Sequence, residues 1–309
     1  MSTQPLTRVV TGEDGVTRVQ EVTGPPTRES SPKPRKPMRP IEGPSAFGGD
    51  PQRFFSLLWL TAVQDYRLMY RTSVLGYVWT LLRPLAFFAV LYVVFTQVIR
   101  FGDTVPNYAV LLLMNVMFFQ FFSDATSSAM GSVVRNEPLV RKMHFPRIVV
   151  PLANVLTAAM TSSMNFVVVL GFFLASGVEP TLTWLLLPVI VVVLTVFCAS
   201  VGLLLSAAYV WFRDLEHIWG VVLRILFYST PILYPLEVVP ESFRWVVALN
   251  PLTTILYEAR VLLAQPDATP LTQVVGVPTV IGSMLIAVGL LVTAIWLFVR
   301  QAPRVAEAI

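Results

Sequence analysis

A chain of 309 residues that is 55% hydrophobic and only 13% charged departs from the balance of soluble domains, where about a quarter of residues are charged. Its mean hydropathy of +0.69 points to a polytopic membrane protein. The net charge of +4 is carried by basic residues that stand beside apolar runs rather than along one soluble face, which argues against nucleic acid as a partner. The single cysteine, Cys198, excludes an intrachain disulfide and argues against a cysteine-ligated metal; inside an apolar run it reads as a small packing residue.

Residues 1–50 are rich in Pro, Arg and Lys, with Lys33, Arg35, Lys36 and Arg39 clustered, and nearly devoid of aromatics. Such a segment buries too little surface to offset the entropy of ordering it. A disordered, basic, proline-rich cytoplasmic tail drawn to the anionic leaflet is expected there, and neither a signal peptide nor a spanning helix.

Residues 51–80 read as an amphipathic interface helix, with its body from Phe54 to Tyr70. From Arg67 to Ala86 a charged, aromatic stretch then passes straight into apolar sequence. Arg67, Arg71 and Arg83 are expected at headgroup level, and Tyr66, Tyr70, Tyr77 and Trp79 have the apolar body and polar tip suited to that layer.

A spanning helix needs about 20 mainly apolar residues. Residues 81–300 supply six candidates: Leu81–Ile99, Tyr108–Met130, Ile148–Val178, Leu182–Tyr209, the shorter Ile218–Leu233 and Val274–Val299. The second half of the Tyr108 span is rich in small and hydroxylated residues around Asp124, a composition for close helix packing or a polar cavity. In the third span Asn154, Thr157, Ser162, Ser163 and Asn165 are expected to face other helices. Pro188 is placed to kink the fourth span without ending it. Between the last two spans, pieces around Trp245 and Ile255 are too short or too charged to cross separately. A re-entrant helical pair fits them, provided protein surrounds its irregular backbone. The fold class is therefore all-α: a polytopic membrane protein of six spans, an N-terminal interface helix, a re-entrant pair and a cytoplasmic tail over 301–309.

Six spans put both ends on one side. That side carries Arg67, Arg71, Arg83, Arg135, Arg141, Lys142, His144, Arg147, Arg213, Arg300 and Arg304. The opposite turns carry Arg100, Arg244 and Arg260, offset by Asp103, Glu179, Glu237, Glu241, Glu258 and Asp267. The Lys/Arg bias places both termini in the cytoplasm.

The sequence has no phosphate-binding GxxxxGK loop and no HExxH pair, and its two histidines, His144 and His217, sit in charged turns. No catalytic residue, metal ligand or cofactor is expected in this chain. If ATP drives it, another chain must bind the ATP and its Mg.

Four segments carry a family resemblance: YRTSVLGYVWTLLRP from Tyr70, LVRKMHFPRIVVP from Leu139, FRDLEHIW followed by STPILYP, and LNPLTTILYEAR from Leu249. Over about Phe54 to Arg300 the chain resembles the transmembrane subunit of type-2 ATP-binding-cassette exporters. The likeness is to the branch exporting lipid-linked polysaccharide, which includes the O-antigen (Wzm), teichoic-acid and mycobacterial galactan permeases. The resemblance implies two copies of this chain enclosing a channel, with two copies of a separate ATPase docked beneath. It also implies a coupling segment at Arg135–Phe145, with Arg135, Glu137, Arg141, Lys142 and His144 as its polar contacts. Asp65, Arg67 and Arg71 of the interface helix are close enough in sequence to touch the same ATPase or the headgroups.

A substrate path for sugars calls for aromatic faces and polar partners, so Phe118, Phe122, Arg224 and Tyr228 are the candidates. Phe118, Phe119, Phe121 and Phe122 cannot all face one way on a helix, and some must meet lipid or neighbouring helices. Arg224 interrupts an apolar segment, where a charge is costly and faces a cavity, a partner or the interface. The alternative substrate is a drug or small lipid. An ion-driven secondary transporter is disfavoured by the lack of an internal repeat and the scarcity of acidic residues in the spans.

Overall fold

The computed structural model describes residues 7–11, 17–21, 51–71, 74–100, 107–136, 146–265 and 268–308. Residues 1–42 and 43–309 form separate units. In the first, β1 (Thr7–Thr11) and β2 (Thr17–Glu21) pair antiparallel with Val9 opposite Val19. The expectation of an unordered tail is therefore corrected for these strands, whose β-branched Thr and Val residues favour extended backbone. The cluster Lys33, Arg35, Lys36 and Arg39 lies outside the described residues.

Among its described residues the second unit is helical wherever it has regular structure. Helix α1 (Pro51–Tyr70) starts at a proline, whose missing N–H is an orphan in any first turn. Helix α2 (Val74–Val93) continues into a π-helical turn, Val94–Val98, and begins before the expected span, so the interface helix ends at Tyr70 and not at residue 80. Helices α3 (Tyr108–Met130) and α4 (Ser132–Arg135) follow, then α5 (Val149–Ala175). A 3-10 turn, Leu182–Leu186, leads into α6 (Leu187–Tyr209). Pro188 sits in the first turn of α6, so it starts that helix and does not kink it. Then come α7 (Leu215–Ser229), α8 (Glu241–Ala248), α9 (Pro251–Leu263), α10 (Leu271–Val275) and α11 (Val277–Ala308). Gly276, at φ +83°, separates α10 from α11, a left-handed turn that favours glycine. The last helix is thus shorter at its start than expected and runs on through the predicted 301–309 tail as far as Ala308.

Among the described residues, five helical segments are long and apolar enough to cross a membrane, or six if the α8–α9 pair, bent by 102°, counts as one. At 15 residues, α7 falls below the usual minimum of about 17. It nevertheless runs along most of α3. Near its start, Trp219 Nε1 donates to Thr126 Oγ1 at 3.3 Å, and just beyond its end the Leu233 carbonyl accepts from Tyr108 Oη at 2.7 Å. Eighteen residues of α3 separate those contacts, about 27 Å at 1.5 Å per residue. Beyond Ser229 the chain turns, and Asn115 Nδ2 donates to the Pro231 and Ile232 carbonyls there.

The α8–α9 pair turns sharply at its break, by 102°. Asn250 at the bend caps α9, accepting from Leu252 N at 3.1 Å with Pro251 at the first helical position. Thr254 shares a 2.9 Å hydrogen bond with Ser283 of α11. The far end of α9 meets the start of the fourth span, where Thr183 Oγ1 and Trp184 Nε1 donate to the Leu262 and Leu263 carbonyls. Protein thus surrounds the irregular backbone, as a re-entrant pair requires.

Helix α3 is the axis of the bundle, contacting α2, α5, α6 and α7. Phe118, Phe119, Phe121 and Phe122 are all buried on it. At one end Val133, Ile148, Val210 and Phe298 form an apolar cluster against which Phe54 of α1 packs. At the other, Leu236, Tyr257, Leu271 and Val280 form a second.

Candidate functional site

Helices α2, α3 and α5 enclose a cavity of about 310 Å³, built from two polar stripes. On α3, Gln120, Asp124 and Ser128 recur every four residues and share one face. On α5, Asn154, Thr157, Thr161, Ser162 and Asn165 recur at helical spacing and look toward them. Trp79, Thr80 and Arg83 of α2 close the third side, and Met69 of α1 the end. The volume falls at the low end of the range for small-molecule sites, about 300 to 1,000 Å³.

The wall is polar but only partly satisfied. Gln120 Nε2 donates to Asp124 Oδ1 at 2.9 Å, and Asn154 Nδ2 to the Val150 carbonyl at 3.0 Å. Thr157 Oγ1 reaches both the Ala153 carbonyl of its own helix at 2.8 Å and the Ala62 carbonyl of α1 at 3.1 Å. Asn165 is buried, and its Oδ1 has no hydrogen-bond partner. A buried acceptor left unpaired costs about 1 to 3 kcal/mol. The expectation that α5 turns its polar residues inward holds for Thr157, Ser162 and Asn165. It fails for Ser163, which is exposed and returns its hydroxyl to the Met160 carbonyl at 2.6 Å.

At the α1 end, α1 docks on α5 through fully buried Ala62 and the Thr157 hydrogen bond. Asp65 is half-buried, and burial pushes its carboxyl above the usual carboxylate range. Arg67 and Arg71 are exposed. Arg135 ends α4, where its guanidinium folds back over Gly131 to donate to the Ser128 carbonyl, an orphan acceptor near the end of α3. The other residues expected in the coupling segment, Glu137, Arg141, Lys142 and His144, lie outside the described residues. Phe54 of α1 and Val134 of α4 pack on the same cluster, so the interface helix and the start of that segment share one end of the bundle.

The four residues proposed for the substrate path are not brought together. Phe118 and Phe122 are 1% and 2% exposed: Phe118 packs edge-on to Phe166 at 5.0 Å, and Phe122 stacks on Phe197 at 5.6 Å. A path lined by them would have to open the core of the protomer itself, so both are corrected to packing residues. The reason is that α2, α5, α6 and α7 pack around the rest of α3 and leave only its Gln120–Asp124–Ser128 stripe on the cavity, which no local pattern in its sequence announces. Arg224 and Tyr228 lie instead on the outward face of α7 with exposed Ile218, Val221 and Ile225. Sequence reasoning also missed the cavity-lining positions of Trp79 and Arg83, which were expected at the headgroups, and of Gln120. The Gln120–Asp124–Ser128 spacing was the available signal for them.

A family model described as ABC-2 type transporter matches residues 56–263. O-antigen export system permease proteins RfbA are among the relatives. One from Klebsiella pneumoniae is 32% identical over 209 residues, 67% of this chain and 80% of that protein. One from Myxococcus xanthus is 30% identical over 223 residues, 71% of this chain and 85% of that protein. A polysialic acid transport protein, KpsM from Escherichia coli, is 22% identical over 212 residues, 64% of this chain and 77% of that protein.

Proposed function

The chain belongs to the ABC-2 type transporter family, and on that premise we propose that it is the transmembrane subunit of an ATP-driven exporter of lipid-linked polysaccharide. Two copies would assemble with two copies of a separate ATPase in a bacterial inner membrane. The observation that carries the substrate is the pair of O-antigen export permeases, at 30% and 32% identity, aligned over four-fifths or more of their length. These relatives favour polysaccharide over a drug or small lipid.

The mechanical reading has its own support. The 309 residues contain no phosphate-binding loop, which supports a separate ATPase as the source of drive. The Lys/Arg bias argues for the α1 end as the cytoplasmic one. There α1, α4 and the start of α5 meet on one apolar cluster, a junction through which closure of an ATPase pair would shift the spans. The exposure of Arg224 and Tyr228 on α7 among apolar residues supports a contact there with either the second copy or the moving polymer.

Deletion of the gene tests the reading. Surface polysaccharide should disappear while the lipid-linked polymer accumulates, accessible only in inside-out vesicles, and the tagged chain should retrieve an ATPase. Normal surface polysaccharide in the deletion strain would refute it.

A further inference from the structure

We infer that the α2–α3–α5 cavity is a binding subsite for one sugar unit of the exported chain, an inference that rests on the exporter reading above. Four features of the cavity point to a neutral, hydroxyl-rich ring. Arg83 and Asp124 are the charged groups among the described residues lining it, one of each sign. They leave the cavity without the net positive field that a phosphate would need. Gln120, Asn154 and Asn165 present planar amides, which offer both donors and acceptors, as paired ring hydroxyls require. Asn165 lines the cavity, and its buried Oδ1 has no hydrogen-bond partner, so the amide has unused acceptor capacity. Trp79 lines the cavity and is 62% exposed, an aromatic surface on which the C–H face of a sugar can lie.

The placement fits a bilayer better than the alternatives do. A lipid tail has nothing to give the amides and carboxylate, and leaving them unpaired against it is costly. The second cavity of comparable size, about 420 Å³ between α6, α9 and α11, is walled largely by Val, Ile and Leu side chains and would suit an acyl chain. Polar and apolar portions of a glycolipid therefore find different cavities. The polar one adjoins the α1–α2 junction through Met69 and Gly76, so its occupancy would be felt by the helix that docks on α5.

The test uses the full permease co-purified with its ATPase in lipid nanodiscs. Two radiolabelled probes are titrated: a polyprenyl diphosphate carrying one N-acetylhexosamine or hexose, and the same polyprenyl diphosphate without sugar. The sugar should tighten binding by about tenfold, a difference of about 1.4 kcal/mol. Asn165→Leu and Trp79→Ala should each remove most of that increment while leaving the bare lipid's affinity unchanged. Because Asn165 is buried and its variant risks misfolding, the exposed Trp79 keeps the inference testable. Equal affinities for the two probes in the unaltered protein, or an increment that survives Trp79→Ala, would overturn the subsite. ATP-driven movement of the sugar-bearing probe, measured in proteoliposomes, reports separately on the exporter reading. Transport without a sugar increment removes the subsite alone, whereas a sugar increment without transport removes the exporter reading and leaves the cavity a sugar site.

Discussion

The Arg260 guanidinium lies 3.0 Å from the Glu237 carboxylate, joining the residues just before α8 to the end of α9. The pair closes the open side of the re-entrant hairpin, whose bend is held separately by Asn250 and Thr254. Arg260 is mostly buried, also donates to Gln265 Oε1 at 2.8 Å and lies over the Tyr257 ring, whereas Glu237 is about half exposed. Its loss should cost more than an exposed pair, about 0 to 1 kcal/mol, and less than breaking a fully buried one, about 3 to 5 kcal/mol. Arg260→Met should therefore lower the melting temperature of the detergent-purified protein further than Glu237→Gln, since it also removes the hydrogen bond to Gln265 Oε1. The double variant should be no worse than Arg260→Met. Additive losses in a double-mutant cycle would show that the pair is not coupled.

The spans were legible where the signal is one-dimensional. Tyr108–Met130 and Leu182–Tyr209 appear in the structure with the bounds read from apolar run length. The re-entrant pair was also legible, because Glu241, Arg244 and Asn250 break the sequence at intervals too short for a crossing. What failed depends on neighbours. Phe118 and Phe122 look like path residues until Phe166, Phe197 and Trp219 are seen around them. Arg83 looks like a headgroup anchor until α2 is laid against Asp124 of α3 and Asn165 of α5. Side-chain type told that a polar surface existed; only helix pairing told which stripes meet.

Gly202 marks where α6 comes closest to α3. A Cβ there would sit 2.8 Å from the Ala129 Cβ and 3.5 Å from Val155 Cγ2. The Ala129 methyl is fixed to the backbone and has no rotamer by which to withdraw, so the helices must part, at a typical overpacking cost of about 1 to 3 kcal/mol. Gly202→Ala should lower thermal stability measurably, and Gly202→Val should prevent recovery of folded protein. Ala129→Gly should restore much of the loss in Gly202→Ala. If it restores none, the close contact is not the cause.

The interface helix offers a prediction in which the sign is informative. Helix α1 is held to α5 by Ala62 and Thr157, and Asp65 lies one turn further along it, half-buried, with its carboxyl pushed up by burial. A carboxyl whose folded-state value exceeds its unfolded one favours its neutral form in the folded protein. The charged form then detracts from stability: the penalty is absent below the ordinary value of about 3.9, grows as pH rises toward the raised value, and is constant above it. Asp65→Asn keeps the shape and removes the charge. Melting curves of the isolated permease should therefore show the variant equal to the unaltered protein at the acid end and more stable at neutral pH. Assembly with an ATPase adds a second test. A basic group on the partner facing Asp65 would pull the carboxyl back toward ionisation, and the advantage of Asn should shrink or reverse in the complex. A variant already less stable than the parent at neutral pH, in the permease alone, would mean that this charge is paired within the permease itself, contrary to the burial that sets its shift.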